Sequence, residues 1–458
     1  MSKYLYGASV QGIQEFIFAT NKLKEIVGAS ELVKSVVFEF EKISAYKGGD
    51  EHILLNAAGN IKAIFDDKDL CEKVVLEFPK LIQKSAYGIS ISQAVLEIKD
   101  KHTQEDINQL EKKLKIQRNK PSIALDLSIN IMKLNPSTAK PLISKDMDKA
   151  TSQKLQAYES IKDKSNTDLH KLSNSKNKIA VVHIDGNGLG QLIPKLKIPL
   201  SEFSFKLDQA TQEAFKLAKG EKALREIILG GDDVTVICNA DDALDFTKEF
   251  LSNFETQTEK TLGNKLTACA GIAYTNEKYP FHYAVDLAET LCGVSKKHSK
   301  KINEDLAPSS LMFHNIQSSN FQSWDKFIED ERTIKNDKGI IRLDFGPYYL
   351  DEKNQVLIQD FQNSLEAYKC DGSPISRLRN WMGELYKNAK NADTLLERIN
   401  TITDESGKWN SCIMDRNLKN INQELSSQEL IIDKDGFSKT PIYDILQILS
   451  VTSIKGTK

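Results

Sequence analysis

The chain has 458 residues, 40% hydrophobic and 28% charged, with a formal net charge of -2 at pH 7. This is enough for two or three domains that each bury a core, and the near-neutral charge gives no overall argument for nucleic-acid binding. Six scattered cysteines without a CxxC pair argue against a zinc site or a disulfide framework, and the lack of a signal peptide or a bilayer-spanning apolar stretch argues against secretion and membrane insertion, so a cytoplasmic protein is expected.

The first hundred residues alternate strand and helix patterns. In chain order we predict a strand at Tyr4–Val10, a helix from Gln14 to about Ala45, a hairpin of His52–Leu55 and Ile61–Phe65, a helix at Asp66–Lys84 and a strand at Tyr87–Ile98. The order β-α-β-β-α-β is that of a ferredoxin-like unit.

The same order recurs after residue 177, so the chain contains two copies of one plan. The predicted elements are a strand at Lys178–Ile184, helix within Gly190–Lys219, a hairpin of Ile227–Leu229 and Val234–Cys238, a helix at Ala240–Thr261, a strand at Leu266–Ala273, a helix at Tyr283–Lys297 and a short strand at Ser310–His314.

One polar segment lies between the two copies, and another follows the second copy. We divide the chain into a first unit (1–100), a linker or helical insertion (101–177), a second unit (178–315) and a helical C-terminal domain (316–458). Helices are predicted at Thr103–Lys115, Asp325–Asp330, Ile358–Tyr368, Ser376–Lys390, Ala392–Thr403 and Pro441–Val451. The expected fold is α+β: two tandem ferredoxin-like units followed by a helical domain.

The second unit carries its acids at the edge of its predicted sheet. Gly230-Gly231-Asp232-Asp233 forms the tip of the hairpin, and Asp185 ends the first strand. Because a ferredoxin-like sheet places that strand end beside its central hairpin, we expect the three carboxylates to converge without a lysine or arginine between them. Such a cluster is costly unless a cation neutralises it, and oxygen ligands favour Mg²⁺ or Mn²⁺.

The residues around these acids fit a nucleotide site. Glycines let the backbone approach phosphates closely. The predicted nucleotide contacts are Gly186, Asn187, Gly188, Gly230 and Gly231, and Ile184 is counted with Asp185, Asp232 and Asp233 at the metal site. Each motif alone is also good turn chemistry, and an EF-hand is excluded because the later acidic ligands are missing. The joint placement at the ends of the correct strands favours a metal site.

These motifs resemble the catalytic palm of the large subunit of type III CRISPR complexes, the CRISPR polymerase, which is related to GGDEF diguanylate cyclases. The matching segments are Asp185–Gly190, Gly230–Asp233, Ala270–Ala273 with Tyr279-Pro280, and Ala288 with Ser295–Lys297. Gly7–Ile17 and Gly28–Leu32 are similar to the family's other palm. We therefore call the two units the first and the second palm.

The resemblance implies a nucleotidyl cyclase that joins ATP by 3′-5′ linkages into a cyclic oligoadenylate or a related signal in antiviral defence. Asp185, Asp232 and Asp233 would be catalytic and hold two Mg²⁺ or Mn²⁺ ions, and Lys296 would contact the donor triphosphate. The alternative, to which we give equal weight, is that Lys296 is simply a solvent-exposed residue at the end of a helix. The resemblance also implies guide RNA and CRISPR-like subunits as candidate partners. A homodimer is a further candidate assembly.

The chain also departs from the family pattern. It shows no His-Asp doublet and no preceding nuclease module, so we expect a minimal or stand-alone form without DNA cleavage. Asn56–Asn60 replaces the acidic hairpin in the first palm, which is therefore expected to be non-catalytic. Two alternatives remain at this point: a GTP-using dinucleotide or mononucleotide cyclase, and a non-catalytic nucleotide-binding scaffold of a ribonucleoprotein complex.

Overall fold

The computed structural model describes residues 2–43, 52–57, 59–99, 102–120, 129, 131–193, 198–317, 323–337 and 339–453. The predicted helix end near Ala45, and Ala58 in the first hairpin turn, lie outside these residues. Within the described ranges, no helix is both long enough and apolar enough to cross a bilayer.

The first palm has the predicted ferredoxin-like topology. Its elements are strands β1 (Lys3–Gln11), β2 (Ile53–Ala57), β3 (Asn60–Phe65) and β4 (Ser90–Ile98), and helices α1 (Ile13–Phe18), α2 (Leu23–Glu41) and α3 (Lys68–Ser85). The strands pair antiparallel in the order β2-β3-β1-β4. Asp67 caps the N-terminus of α3: its carboxylate accepts a hydrogen bond from the amide of Asp69.

The single long helix predicted from Gln14 is wrong, because the chain breaks between α1 and α2. Lys22 is extended, and its amide donates to the Thr20 hydroxyl, which in turn donates to the carboxylate of Glu25. These local bonds give the backbone an alternative to helix, as threonine does at helix starts. The apolar periodicity continues across the break, which is why the sequence pattern hides it.

The segment between the palms is folded against the first palm. It contains α4 (Gln104–Arg118), the small hairpin β5 (Leu142–Ser144) and β6 (Met147–Asp148), α5 (Lys149–Ser160) and α6 (Leu169–Leu172). Helix α4 begins with a capping box of Thr103 and Asp106. Helix α5 lies directly on α2: a Cβ at Gly28 would come 1.8 Å from the carbonyl oxygen of Lys154.

The second palm repeats the topology and extends it. Its elements are β7 (Lys178–Gly186), α7 (Leu189–Leu192), α8 (Leu200–Lys219), β8 (Leu224–Gly230), β9 (Asp233–Asn239), α9 (Ala243–Leu262), β10 (Ala268–Asn276), α10 (Phe281–Ile302), β11 (Ser310–Asn315) and β14 (Tyr348–Tyr349). The sheet order is β14-β11-β10-β7-β9-β8. The region Gly190–Lys219, predicted to contain helix, holds the end of α7 and all of α8, which begins directly after Pro199.

The two faces of the second sheet have different partners. Side chains such as Val182 and Ile184 belong to the core that includes α8 and α9. Val181 and Ile237 point the other way, into a core shared with α10 and with the first palm. The Ser30 hydroxyl donates to the carbonyl oxygen of Ile227, so α2 is also fixed to β8 by a buried hydrogen bond. The first palm therefore packs on one face of the second palm's sheet.

Gly271 allows α10 to approach that sheet. A Cβ at this position would lie 1.9 Å from the carbonyl oxygen of Ala288 and 2.6 Å from the amide nitrogen of Cys292, both in the backbone of α10. We expect Gly271→Ala to lower the free energy of unfolding by roughly 1–3 kcal/mol, the usual cost of overpacking. Denaturant unfolding followed by circular dichroism measures the change.

Gly293→Ala, in the same helix, is the matched control. Gly293 is exposed, and no described heavy atom lies within 4 Å of the position that a Cβ would take there, apart from neighbours along the helix. This variant should gain about 0.5–1 kcal/mol, since alanine replaces glycine inside a helix. A destabilised Gly293→Ala chain, or an unaffected Gly271→Ala chain, would contradict this account of the packing.

The C-terminal part is mainly helical, as predicted, but it also contains a small sheet. Its elements are α11 (Trp324–Glu331), β12 (Thr333–Asn336), β13 (Gly339–Arg342), α12 (Ile358–Tyr368), α13 (Ile375–Leu385), α14 (Ala389–Ser406), α15 (Ser411–Ile421), β15 (Ile432–Lys434), β16 (Phe437–Lys439) and α16 (Ile442–Val451). The Tyr348 hydroxyl donates to Asp444 at 2.8 Å, which ties β14 of the second palm to α16. The domain limits drawn from the sequence stay a prediction.

Candidate active site

Two of the predicted acids are direct neighbours across strands. Asp185, near the end of β7, pairs in register with Asp233, the first residue of β9. Asp233 in turn pairs with Gly230 at the end of β8. Directly opposed residues of an antiparallel pair point to the same face with their Cβ atoms about 4.5–5.5 Å apart. The fold therefore brings Asp185 and Asp233 together at the sheet edge.

The third acid is held against the same strand end by the turn. Gly231 and Asp232 form the two-residue loop between β8 and β9, and Gly231 has a φ of 62°, which glycine adopts without strain. A Cβ at Gly186 would lie 2.7 Å from the Cβ of Asp232. Gly186 thus leaves room for the Asp232 side chain, a packing role in addition to the predicted nucleotide contact.

A lysine lies among these carboxylates, contrary to the expectation from sequence. The ammonium of Lys296, on α10, donates to Oδ2 of Asp185 and to the carbonyl oxygen of Gly186, both at 2.6 Å. The prediction that no cation separates the acids is wrong because α10 packs along the sheet and brings Lys296 to the strand end of β7. Lys296 is half-buried and is part of the site rather than a solvated helix end.

The remaining acids are poorly compensated. Burial and the nearby Asp185 carboxylate raise the pKa of Asp232 to about 6, and the charge of Lys296 offsets only part of this rise. Burial and the charges of Asp185, Asp232 and Glu289 raise the pKa of Asp233 to about 7. Oδ1 of Asp233 is fully covered and accepts no hydrogen bond among the described residues. The site therefore disfavours its own negative charge, which is the property of a cation site.

Two further side chains flank Asp233 and were not singled out from sequence as site residues. His183 is buried, lies 3.5 Å from Oδ1 of Asp233 and 3.1 Å from the Thr235 hydroxyl, and burial lowers its pKa to about 4. Burial and the nearby Asp286 raise the pKa of Glu289 to about 7. Glu289 belongs to α10, so only the packing of that helix on the sheet brings it near Asp233.

The predicted nucleotide contacts divide into two groups. Asn187 is buried, and its amide group donates to the Thr267 hydroxyl at 3.1 Å and to the carbonyl oxygen of Ala307 at 3.2 Å, so it fixes the loop after β7. By contrast, a Cβ added at Gly188, Gly230 or Gly231 would meet no described atom within 4 Å. These three glycines border open space where a ligand could approach the backbone.

The fit of this site to a metal ion rests on its donors. Among the described residues, no group of three or more His, Cys, Asp or Glu side chains is arranged to hold a metal ion. The poorly compensated carboxylates of Asp232 and Asp233 nevertheless provide hard oxygen donors, and Asp185 provides another, which is paired with Lys296 in this structure. This chemistry fits Mg²⁺ or Mn²⁺, with further ligands from water, phosphate or the main chain at Ile184.

Without a divalent cation, the raised pKa values should make the chain less stable at higher pH. An unfolded aspartate has a pKa of about 3.9, so between roughly pH 4 and 7 these two carboxylates bind more protons in the folded chain than in the unfolded chain, and their contribution to stability falls as pH rises. We expect the Tm measured in EDTA to drop from pH 5.5 to pH 8 and to recover with Mg²⁺.

The double variant Asp232→Asn with Asp233→Asn isolates this contribution. Over the same pH interval, the Tm of this variant should fall by a few degrees less than that of wild type, since about 1 kcal/mol shifts the Tm of larger domains by roughly 2–4 °C. It should also gain less Tm on addition of Mg²⁺. Identical pH and Mg²⁺ responses of wild type and variant, measured by scanning calorimetry, would show that these carboxylates carry no such charge cost.

The first palm offers no equivalent acids in its hairpin. Asn60 stands at the start of β3, and its side-chain oxygen accepts a hydrogen bond from Ser9 at 2.8 Å. The turn sequence Asn56–Asn60 contains no carboxylate. The acidic constellation therefore occurs in the second palm of the described structure and not at the corresponding place in the first.

Comparison with known proteins identifies this part of the chain. Residues 178–304 match the family model described as Cas10/Cmr2, second palm domain. The resemblance stated from the sequence is thereby confirmed for the second palm. None of the curated proteins matches the chain.

Solved structures share the fold over nearly the whole chain. One is a Csm1–Csm4 cassette in complex with cA3, with a TM-score of 0.58, 14% identity, and coverage of 98% of this chain and 69% of that chain. Another is the cassette in complex with AMPPNP, with a TM-score of 0.55, 13% identity and coverage of 93% and 70%. Csm1 in T. onnurineus has a TM-score of 0.55, 14% identity and coverage of 98% and 69%. At this identity the likeness shows the fold, and it confirms the predicted α+β class.

Proposed function

We propose that this chain, whose residues 178–304 match a second palm domain of the Cas10/Cmr2 family, is a metal-dependent nucleotidyl cyclase that joins ATP by 3′-5′ linkages into a cyclic oligoadenylate. The observation that carries the proposal is the pairing of Asp185 with Asp233 at the sheet edge, with Asp232 held against Gly186. Carboxylates with so little charge compensation do not stabilise a protein core, so this edge is better explained as a cation site.

The structural relatives support the choice of substrate and product. They include Csm1–Csm4 cassettes in complex with AMPPNP, with pppApA and with cA4. These ligands are an ATP analogue, a linear dinucleotide and a cyclic oligoadenylate. For this chain, ATP as substrate and a Csm4-like subunit as partner are therefore part of the proposal, together with a role in antiviral signalling.

Asp185, Asp232 and Asp233 would hold the metal ions, with Ile184 contributing its main-chain oxygen. When bound, Mg²⁺ or Mn²⁺ lowers the pKa of an attacking 3′-hydroxyl and neutralises charge on the phosphates. Lys296 would bind the donor triphosphate; the position of its ammonium at the same strand end as Asp185 supports this role. Gly188, Gly230 and Gly231 leave space for phosphate oxygens beside the backbone.

The acceptor nucleotide would lie in a groove between the palms. The first palm is fixed to β8 through Ser30 and to the first residue of α10 through the side chain of Asn21, which accepts from the amide of Phe281 at 3.1 Å. Two palms attached to each other in this way can position one nucleotide against another, and positioning supplies a large part of the rate in phosphoryl transfer.

A second candidate is a non-catalytic nucleotide-binding scaffold. The ion pair of Lys296 with Asp185 and the absence of a three-ligand group among the described residues favour it. In this arrangement one carboxylate is neutralised by the lysine. A scaffold would bind ATP and leave it unchanged.

The two candidates differ in their products. We would incubate the purified chain with all four nucleoside triphosphates and Mn²⁺ and identify the products by mass spectrometry and by nuclease digestion of the linkage. Cyclic 3′-5′ adenylates support the proposal. Cyclic guanylates would replace it by a GTP-using cyclase, and tight ATP binding without product, also in the presence of a Csm4-like subunit and guide RNA, would favour the scaffold.

A further inference from the structure

The first palm has a cleft of its own, about 890 Å³ in volume. It is lined by the end of β1 at Gln11, the start of β4 at Ser90, the end of α4 and the beginning of α5. In the second palm, the end of β7 and the start of β10 border the aspartates. The cleft therefore lies at the sheet edge of the first palm that corresponds to the acidic edge of the second.

The charge of this cleft is opposite to that of the acidic edge. Among the described residues, its lining contributes four cations, Arg118, Lys120, Lys140 and Lys154, and two carboxylates, Glu15 and Glu25. Glu25 is already paired, since it accepts from the Thr20 hydroxyl at 2.6 Å and lies 3.1 Å from the ammonium of Lys22. The rest of the wall is rich in hydroxyl and amide side chains. The net charge facing the cleft is therefore positive.

Lys154 is the most buried of these cations. It is only 5% exposed, and its ammonium donates one hydrogen bond among the described residues, to the carbonyl oxygen of Phe16 at 2.6 Å. The ammonium also lies 4.3 Å from the centre of the Phe16 ring. Burial lowers the pKa of Lys154 to about 8. An ammonium has three donors, so a buried lysine that donates only one hydrogen bond among the described residues is well suited to an anion.

Arg118 gives the cleft a second, directed cation. Its guanidinium donates to the buried Ser9 hydroxyl at 2.9 Å, which fixes the side chain at the mouth of the cleft. Guanidinium groups present a planar fork of donors that matches phosphate. Arg118 ends α4, which packs on the sheet through Leu110 and Leu114, so the position of this cation is set by a buried apolar contact.

We propose that this cleft binds a nucleoside di- or triphosphate through its phosphate groups without a metal ion, as a second nucleotide site of the chain. A volume of about 890 Å³ is within the range of small-molecule sites, roughly 300–1,000 Å³, and suits one nucleotide. Where the second palm neutralises phosphate through carboxylate-bound cations, the first palm would use arginine and lysine.

This site is separate from the aspartates. The cleft wall includes Ala19 and Thr20, and the next residue, Asn21, accepts the amide hydrogen of Phe281 at the first turn of α10. Lys296 lies fifteen residues further along the same helix, about 22 Å at a rise of 1.5 Å per residue. Within the described part of the chain, all lining residues belong to the first palm and the segment after it.

Equilibrium dialysis of radiolabelled ADP in EDTA tests the proposal. The protein is the full chain carrying Asp232→Asn and Asp233→Asn, so that neither metal nor turnover at the second palm contributes. We expect saturable binding that is weakened at least tenfold by Arg118→Gln with Lys140→Gln. The matched control is Lys112→Gln with Lys115→Gln, which removes the same charge from α4 outside the cleft and should leave the ADP affinity within twofold.

Competitors separate the possible phosphate sources. Unlabelled ATP and inorganic tripolyphosphate should displace ADP, whereas adenosine should not. Four results would overturn the proposal: no saturable binding of ADP, equal weakening by the two variant pairs, binding of tripolyphosphate alone, or binding of a single-stranded RNA 12-mer through Arg118 and Lys140 without binding of ADP. Because the readout needs neither metal nor catalysis, the failure of this site and the failure of the proposed cyclase activity are distinguishable.

Discussion

Replacing Asp232 and Asp233 with alanine should abolish metal-dependent pyrophosphate release from ATP while leaving the chain folded. Metal ions supply several kcal/mol of transition-state stabilisation, and each 1.36 kcal/mol is tenfold in rate, so the loss should be roughly 10³-fold or more. Folding should survive because burial and like charge raise the pKa values of both carboxylates, so their removal relieves unfavourable interactions.

The control for this variant is Glu304→Ala with Asp305→Ala. Both residues are exposed acids after α10, so the change in net charge is the same and the site is untouched. Pyrophosphate release should stay within twofold of wild type in the control. Turnover by the Asp232→Ala/Asp233→Ala chain, with an unchanged circular dichroism spectrum, would remove these aspartates from the mechanism.

Lys296→Met should change metal affinity and turnover in opposite directions. In the structure the ammonium neutralises Asp185 at 2.6 Å, so it competes with any metal ion for that carboxylate. Without the lysine, Mn²⁺ should bind more tightly in the absence of nucleotide. If the ammonium then contacts the donor triphosphate, kcat/KM for ATP should fall by roughly 10- to 100-fold, since a hydrogen bond to a charged group contributes about 1.5–3 kcal/mol.

Lys297→Met is the matched control for this second prediction. Lys297 is the next residue of α10 but is exposed, so neither Mn²⁺ affinity nor turnover should change. A rise in KM for ATP with little change in kcat would indicate ground-state binding of the triphosphate. If Lys296→Met lowered only the Tm, the lysine would be a structural partner of Asp185 rather than a substrate contact.

The sequence is sufficient to predict those parts of the site that strand register determines. Asp185 lies at the end of one apolar strand and Asp233 at the start of another, and the order of these strands in a ferredoxin-like unit is fixed, so their pairing can be expected from the strand order alone. The role of the turn glycine can also be predicted from the sequence, because Gly231 occupies a position that requires a positive φ. The fold class follows from the repeated alternation of strands and helices.

What the sequence could not predict depends on how helices pack. Lys296 and Glu289 reach the aspartates only because Gly271 lets α10 approach the sheet, and no local pattern encodes that contact. The break between α1 and α2 depends on side-chain bonds of Thr20 within an otherwise periodic segment. The cleft in the first palm is lined by residues that lie far apart in the sequence, so its positive charge cannot be recognised before the fold is known.

The central claim is that the acidic edge of the second palm holds the metal ions of a single active site per chain. Mn²⁺ binding in the presence of a non-hydrolysable ATP analogue, followed by electron paramagnetic resonance, tests it most directly. We predict two tightly bound Mn²⁺ ions per chain in wild type and none in the Asp232→Asn/Asp233→Asn chain, in keeping with two-metal phosphoryl transfer. The same tight Mn²⁺ binding in both proteins, or none in wild type, would contradict the account.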